Sequence, residues 1–325
     1  MIEVISMGIV VADCVAQPVV RPPQAGRLEL VQNIGLFSGG SAASTGYSLA
    51  RFGIQAAVIG RVGNDGFADF LLNEAKRHGA DSSGMIRDKT SATSATLVTV
   101  DSEGERTFLH SIGANANLSA LDVSLENLKI QGAKLLHLAG FFALPCLEGT
   151  DGSPTQELFA RATALGYITS LDCVWDATGR WQHLLAKVLP QTDIFCPSID
   201  EARAIVGLAQ NTSPLEVAQG LFELGVRRVV SLKMGEQGSF ILTRDGQAHL
   251  IPIVPTTVLD GTGSGDAFIA GFLAAYLHGE DWLTCGRIGN VAGAMCVRGV
   301  GAMTGMGDWQ EALEMARYFQ TSNSR

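Results

Sequence analysis

Between residues 130 and 235 the chain repeats one rhythm, a short apolar β-prone run followed by a segment with helical spacing. The runs are KLLHLAG (134–140), YITSLDC (167–173), DIFCP (193–197) and RRVVSLKMG (227–235). Helical spacing falls near 154–166, 181–188, 200–207 and 214–225. Short apolar strands alternating with amphipathic helices predict an α/β fold, a mostly parallel sheet covered on both faces. The first third fits the same plan. IEVISMGIV (2–10) and AAVIGRVG (56–63) read as buried strands, and FADFLLNEAKRHG (67–79) as a helix with Lys76, Arg77 and His78 in its last turn. A helix of small residues follows the Gly39–Gly40 turn and ends at Gly53, a C′ glycine. SFILTRDGQAHLIPI (239–253) reads as a late antiparallel hairpin.

Two stretches break the rhythm. TSATLVTVDSEGERTFLHSI (93–112) holds two alternating runs about a D-S-E-G turn, and about 11–36 carries strand-like pieces on either side of Pro22–Pro23. Together they predict a small β lid inserted into one domain spanning 1–325. With 46% hydrophobic and 17% charged residues the chain can build a large core, which argues against disorder.

The net charge of −9 and the lack of any Lys/Arg run exclude a typical nucleic-acid surface. A bound anion must then be held locally, by main-chain amides and a metal. Six cysteines stand singly with no C-x-x-C, which fits buried thiols in a reducing compartment. No basic segment precedes the first apolar run and no apolar run reaches about 18 residues, so a cytoplasmic location is expected, with no membrane partner.

The stretch richest in chemistry is Asp260-Gly261-Thr262-Gly263-Ser264-Gly265-Asp266-Ala267-Phe268. Its glycines let successive N–H groups converge, and the helix beginning near 266, apolar on every side over 267–277, aims its positive end at the same point. That is an anion hole suited to a migrating phosphoryl group. A carboxylate repels an anion, so Asp266 needs a reason to be there. It can take a proton from an attacking hydroxyl, or it can simply cap the helix.

G-T-G-S-G-D-A-F-I-A-G-F resembles the second signature of the PfkB/ribokinase family of carbohydrate kinases, usually D-T-x-G-A-G-D-x-F. Phe37-Ser38-Gly39-Gly40 through Gly60-Arg61-Val62-Gly63-Asn64-Asp65-Gly66-Phe67 resembles its first signature, and the resemblance spans nearly the whole chain. It implies a ribokinase-like fold and transfer of the γ-phosphoryl of ATP, with Mg2+, to a sugar or sugar-acid hydroxyl. Asp266 would be the base, and Gly263, Ser264 and Gly265 the anion hole. Asp13, Gly39, Gly40 and Ser44 would meet the sugar. Lys233, Gly235 and Gly238 of K-M-G-E-Q-G, together with Ser198 and with Asn290 near the start of a G-N-V-A-G-A helix, would meet the nucleotide. Glu201 would organise magnesium, and Asp260 and Thr262 a site for a monovalent cation such as K+. The family often has Asn where Ser44 and Ser198 stand here, which implies retained activity with altered substrate reach. In relatives lid strands often pair across a homodimer.

Other readings stay open. Asp200 and Glu201 also begin a helix, where acidic residues are common without any metal. Arg106 can reach an anionic substrate group or remain a solvated charge beside Glu103 and Glu105. His137, inside an apolar run, reads as a satisfied core residue, and Trp175, Trp181, Trp282 and Trp309 as packing residues. No G-x-x-x-x-G-K-[ST] occurs, and the G-x-G at 263–265 opens a late helix instead of following a first strand, so neither a P-loop nor an NAD fingerprint is present. A nucleoside kinase on the same scaffold, its base slot drawn from Val11, Val19, Phe37 and Phe108, and a ligand sensor without catalysis are the alternatives.

Overall fold

The computed structural model describes residues 1–19, 24–103 and 105–322, the side chains of 320–322 excepted. Its strands are β1 Val4–Gly8, β2 Val11–Gln17, β3 Asn33–Gly39, β4 Ala56–Val62, β5 Met85–Arg87, β6 Ala95–Val100 and β7 Arg106–Ser111, then β8 Leu135–Phe141, β9 Ile168–Cys173, β10 Ile194–Phe195, β11 Val229–Lys233, β12 Ser239–Thr243 and β13 Ala248–Ile251. The helices are α1 Ser41–Arg51, α2 Gly66–Arg77, α3 Leu125–Ile130, α4 Pro145–Glu148, α5 Ser153–Ala164, α6 Trp181–Val188, α7 Ile199–Val206, α8 Pro214–Glu223, α9 Ser264–Leu277, α10 Trp282–Cys296 and α11 Trp309–Ser322.

Period-two alternation sends successive strand residues to opposite faces, and here both faces are apolar. Val4 of β1 and Leu135 of β8 pack with α1, α9, α10 and α11, whereas Ile5 and Leu136 pack with α5 and α6. The result is a nine-stranded sheet ordered β13-β12-β11-β10-β9-β8-β1-β4-β5. It is parallel from β5 to β11, and antiparallel at β11–β12 and β12–β13, the expected late hairpin. The chain runs outward from β1 to β4 and β5 on one side, then crosses to β8 and runs outward on the other. The carboxyl ends of β1 and β8 therefore flank a topological switch point, where open α/β sheets bind ligands.

A second sheet, β3-β2-β6-β7, is built from the two stretches expected to make a lid. Its register aligns Phe37, Asp13, Thr96 and His110 in one cross-strand row and Leu36, Cys14, Leu97 and Leu109 in the next. Alternation puts the two rows on opposite faces, so a slip of one residue would exchange them. β3 runs on to Gly39, three residues past the lid boundary expected at 36, because its ladder with β2 continues to Val11. Pro22–Pro23 and the Gly104 end of the D-S-E-G turn lie outside the described residues.

The helix after the Gly39–Gly40 turn ends as expected, with Phe52 closing it and Gly53 at φ +80°. α9 begins at Ser264, two residues earlier than the sequence suggests, because Gly263 at φ +77° makes the turn into it. Asp266 is therefore inside the first turn and is not the cap. Asn290 is also displaced from its expected place. α10 starts at Trp282, so Asn290 sits in mid-helix.

The tryptophans do pack. Trp175 and Trp181 meet edge to face, Trp282 stacks on Phe272 and Tyr276, and Trp309 meets Phe52 and His278. His137 is only half satisfied. Nδ1 bonds Ser170 Oγ at 3.0 Å while Nε2 has no partner, and burial pushes its pKa down to about 3, so the ring is neutral. All six cysteines are free thiols, and among the described residues no helix is long and apolar enough to cross a membrane.

Candidate active site

Two cavities meet at the amino end of α9. The first, about 530 Å³, lies between the lid and the sheet and is lined by Asp13, Gly40, Thr96, Arg106, His110, Asp172, Asp260, Gly263 and Asp266, with an apolar part from Val11, Val15, Phe37, Val98 and Phe108. The second, about 500 Å³, runs along α10 and is lined by Gly235, Gly238, Ile253, Val254, Ser264, Phe268 and Asn290. Lys233 and Gly265 line both. A group entering from the second cavity therefore reaches the first at Gly265, beside Asp266.

Local sequence explains the junction. The first N–H groups of a helix have no intrahelical partner, and no side chain caps α9. A Cβ on Gly263 would come within 2.4 Å of Ala302 Cβ, so only glycine admits the loop beneath the turn. Asp260 secures the same turn. Oδ1 accepts from Thr262 N at 2.8 Å and Oδ2 from Gly301 N at 2.7 Å.

Asp266 faces the first cavity. Burial, then the Asp172 carboxylate, raise its pKa to about 7, against the lowering pull of Lys233 and a hydrogen bond from Ser44. Asp172, at the carboxyl end of β9, is raised by burial to about 6 although Lys233 Nζ donates to its Oδ1 at 2.7 Å. Lys233 is itself raised: burial disfavours its charge, but Asp172, Glu201 and Asp266 more than restore it. A carboxylate poised near neutrality beside a fixed ammonium is the arrangement a general base requires.

Asp13 stands across the cavity in the inward lid row. Burial raises its pKa, with partial relief from a Thr96 hydrogen bond and from His110 and Arg106. Gly39 lies against it. A Cβ there would sit 2.0 Å from Asp13 Oδ2.

Some expected residues lie elsewhere. Ser44 is buried, near enough to Asp266 to lower its pKa, and does not line the cavity. Ser198 and Glu201 form the capping box of α7, Ser198 N donating to Glu201 Oε2 at 2.7 Å and Glu201 N to Ser198 Oγ at 3.2 Å. Neither lines either of these two cavities, although Glu201 is close enough to act on Asp172, Lys233 and Asp266. Asn290 Nδ2 donates to the carbonyls of Ile251 and Pro252, fixing the wall of the second cavity. Arg106 is not a solvated charge beside Glu103 and Glu105. It pairs with Asp260 at 2.6 Å and donates to Thr262 Oγ1. Val19 is outside the first cavity.

Asp172, Thr96 and His110 escaped the sequence reading. For Asp172 a signal existed, an acid at the carboxyl end of a parallel strand.

The pfkB family carbohydrate kinase profile matches residues 1–309. This chain belongs to the pfkB family of carbohydrate kinases. Among relatives of this pfkB kinase, an uncharacterized sugar kinase of Archaeoglobus fulgidus is 32% identical, covering 79% of this chain and 97% of the relative. A fructokinase of Vibrio alginolyticus is 28% identical over 85% and 90% of the two chains, and a 5-dehydro-2-deoxygluconokinase of Clostridium perfringens 28% over 82% and 80%. Among solved structures, Arabidopsis thaliana ribokinase complexed with ribose and ATP superposes with a TM-score of 0.84 at 22% identity, over 98% of this chain and 99% of that one. A candidate ribokinase II of Escherichia coli in complex with ATP and Mg2+ gives 0.82 at 24%, over 98% and 100%. The fold is thus ribokinase-like, and the enzyme is a carbohydrate kinase.

Proposed function

We propose that this kinase transfers the γ-phosphoryl group of ATP to a hydroxyl of a sugar or sugar acid, with Asp266 taking the hydroxyl proton. One observation carries the reading: the two cavities share Gly265 at the head of α9 and Lys233, and Asp266 lines the one that holds Asp13. ATP lies along α10 with its terminal phosphate at the free amides of the α9 turn, and Lys233 offsets the charge that builds there. The sugar lies under the lid, hydroxyls on Asp13 and one of them toward Asp266. As the oxygen attacks phosphorus, its proton passes to Asp266 and ADP leaves on the opposite side. The lid keeps water from competing as acceptor.

Mg2+, if it enters with the nucleotide, would need only one or two protein carboxylates. Among the described residues no group of three or more His, Cys, Asp or Glu is placed to hold a metal ion. Glu201, one oxygen of which is engaged in the capping box, and Asp172 are the acids at hand to hold it, and the ion would neutralise phosphate charge.

Coupled ADP release with MgATP and a panel of hexoses, pentoses and 2-keto sugar acids tests the proposal. Sugar-dependent turnover supports it, and turnover with none of them contradicts it. The apolar slot of Val11, Phe37 and Phe108 favours a second reading, a nucleoside acceptor. A thermal-shift screen of nucleosides against sugars separates the two, because bound ligand raises the melting temperature.

The outward lid row supports a homodimer through the lid. Ile34 and Leu109 are each 69% exposed, beside Leu36 and Leu97. Sedimentation should give about twice the monomer mass, and Leu109→Lys should return a monomer.

A further inference from the structure

The resemblance implies a monovalent cation at Asp260 and Thr262, and the donors at those residues do not fit one. A cation needs oxygen lone pairs free to converge on it. Asp260 Oδ1 already accepts from Thr262 N and from the Arg106 guanidinium, and Oδ2 from Gly301 N. Thr262 Oγ1 accepts from Arg106 as well. The Cys296 thiol, with one proton to give, lies 3.3 Å from the carbonyl oxygen of Thr262 and 3.2 Å from that of Ala302 and engages one of them at a time. Asp260 is buried, yet its pKa is lowered. Burial pushes it up, and the bonds from Arg106, Gly301 and Thr262 overcome that push. A second positive charge placed beside the guanidinium would be repelled.

Arg106 comes from the first residue of lid strand β7, more than 150 residues from the anion-hole turn, which is held to it by this contact. We infer that Arg106 replaces the monovalent cation, so that this kinase works without one and its anion-hole turn is held in place by the lid. The inference rests on the kinase reading for its kinetic arm only. Arg106 is a positioning residue here, acting on the α9 turn through Asp260. Its planar fork of donors fixes a carboxylate and a hydroxyl together, which a spherical ion or a Lys ammonium does less well.

The experiment compares KCl with tetramethylammonium chloride at equal ionic strength. For the wild-type enzyme, kcat and the sugar KM should change less than about twofold, and the melting temperature should not move. Arg106→Ala should lower kcat at least about tenfold with little change in the ATP KM. Millimolar guanidinium should restore part of that loss, and Arg106→Lys should restore less than the native residue. A tenfold fall of wild-type kcat without K+, a rise in wild-type melting temperature of several degrees with K+, or an Arg106→Ala enzyme with native kcat would overturn the inference. Should no sugar be turned over in either salt, the kinase reading fails, and the melting comparison still decides whether K+ binds.

Discussion

Lys233 Nζ lies 2.7 Å from Asp172 Oδ1, and this pair sits where the two cavities join, within electrostatic reach of Asp266. The two partners pull Asp266 in opposite directions, Asp172 raising its pKa and Lys233 lowering it. Burial is the larger cause of its raised pKa, and the pair adjusts around it how much of the base is ionised at neutral pH.

A signed pair of shifts follows. With Asp266 at about 7, kcat/KM for the sugar should fall with unit slope as pH drops below about 7. Asp172→Asn should move that acid limb to lower pH, and Lys233→Met to higher pH. Removing one member of a buried pair costs roughly 3–5 kcal/mol, so the profiles are best taken well below the melting temperature. Limbs that stay in place in both variants would separate Asp266 from the pair.

Stability should move against activity at Asp266. Its folded pKa is raised above the unfolded value, so its contribution is greatest at low pH and is lost as pH rises through about 7. Asp266→Asn carries no charge into that setting. Its melting temperature should exceed the wild-type value by a few degrees at pH 8, with a smaller gap at pH 5. A lower melting temperature at pH 8 would contradict the burial argument.

Two glycines should separate the ligands. Gly39→Ala puts a methyl within 2.0 Å of Asp13 Oδ2, so the sugar KM should rise about tenfold or more while the ATP KM holds. Gly238→Ala, at φ +84° with Ile251 O only 2.1 Å from the new carbon, should weaken ATP instead and cost stability. Isothermal titration of ATP and initial rates against sugar give both values.

Much of this was legible in the sequence because it is local. The glycine run and the buried helix behind it placed Asp266, and short apolar runs gave the sheet, with α6 at its expected bounds of 181–188. Contacts between distant residues were not legible. Asp172 and Lys233 are 61 residues apart and meet only because β9 and β11 both flank β10, and Arg106 lies 156 residues from Thr262. The start of α9 was misplaced because the αL turn at Gly263 begins the helix without a side-chain cap. Glu201 shows a third kind of gap. Its spacing from Ser198 suits either a capping box or a metal ligand, and only the paired hydrogen bonds reveal the box.

The most direct test is sugar-dependent ADP release by Asp266→Asn beside the wild-type enzyme, with ATP binding measured on the same samples. Loss of turnover on the order of 10²–10⁴-fold with ATP affinity unchanged is the expected result for a missing general base. Turnover within a few-fold of wild type would show that another group accepts the proton, and the assignment of Asp266 would fall.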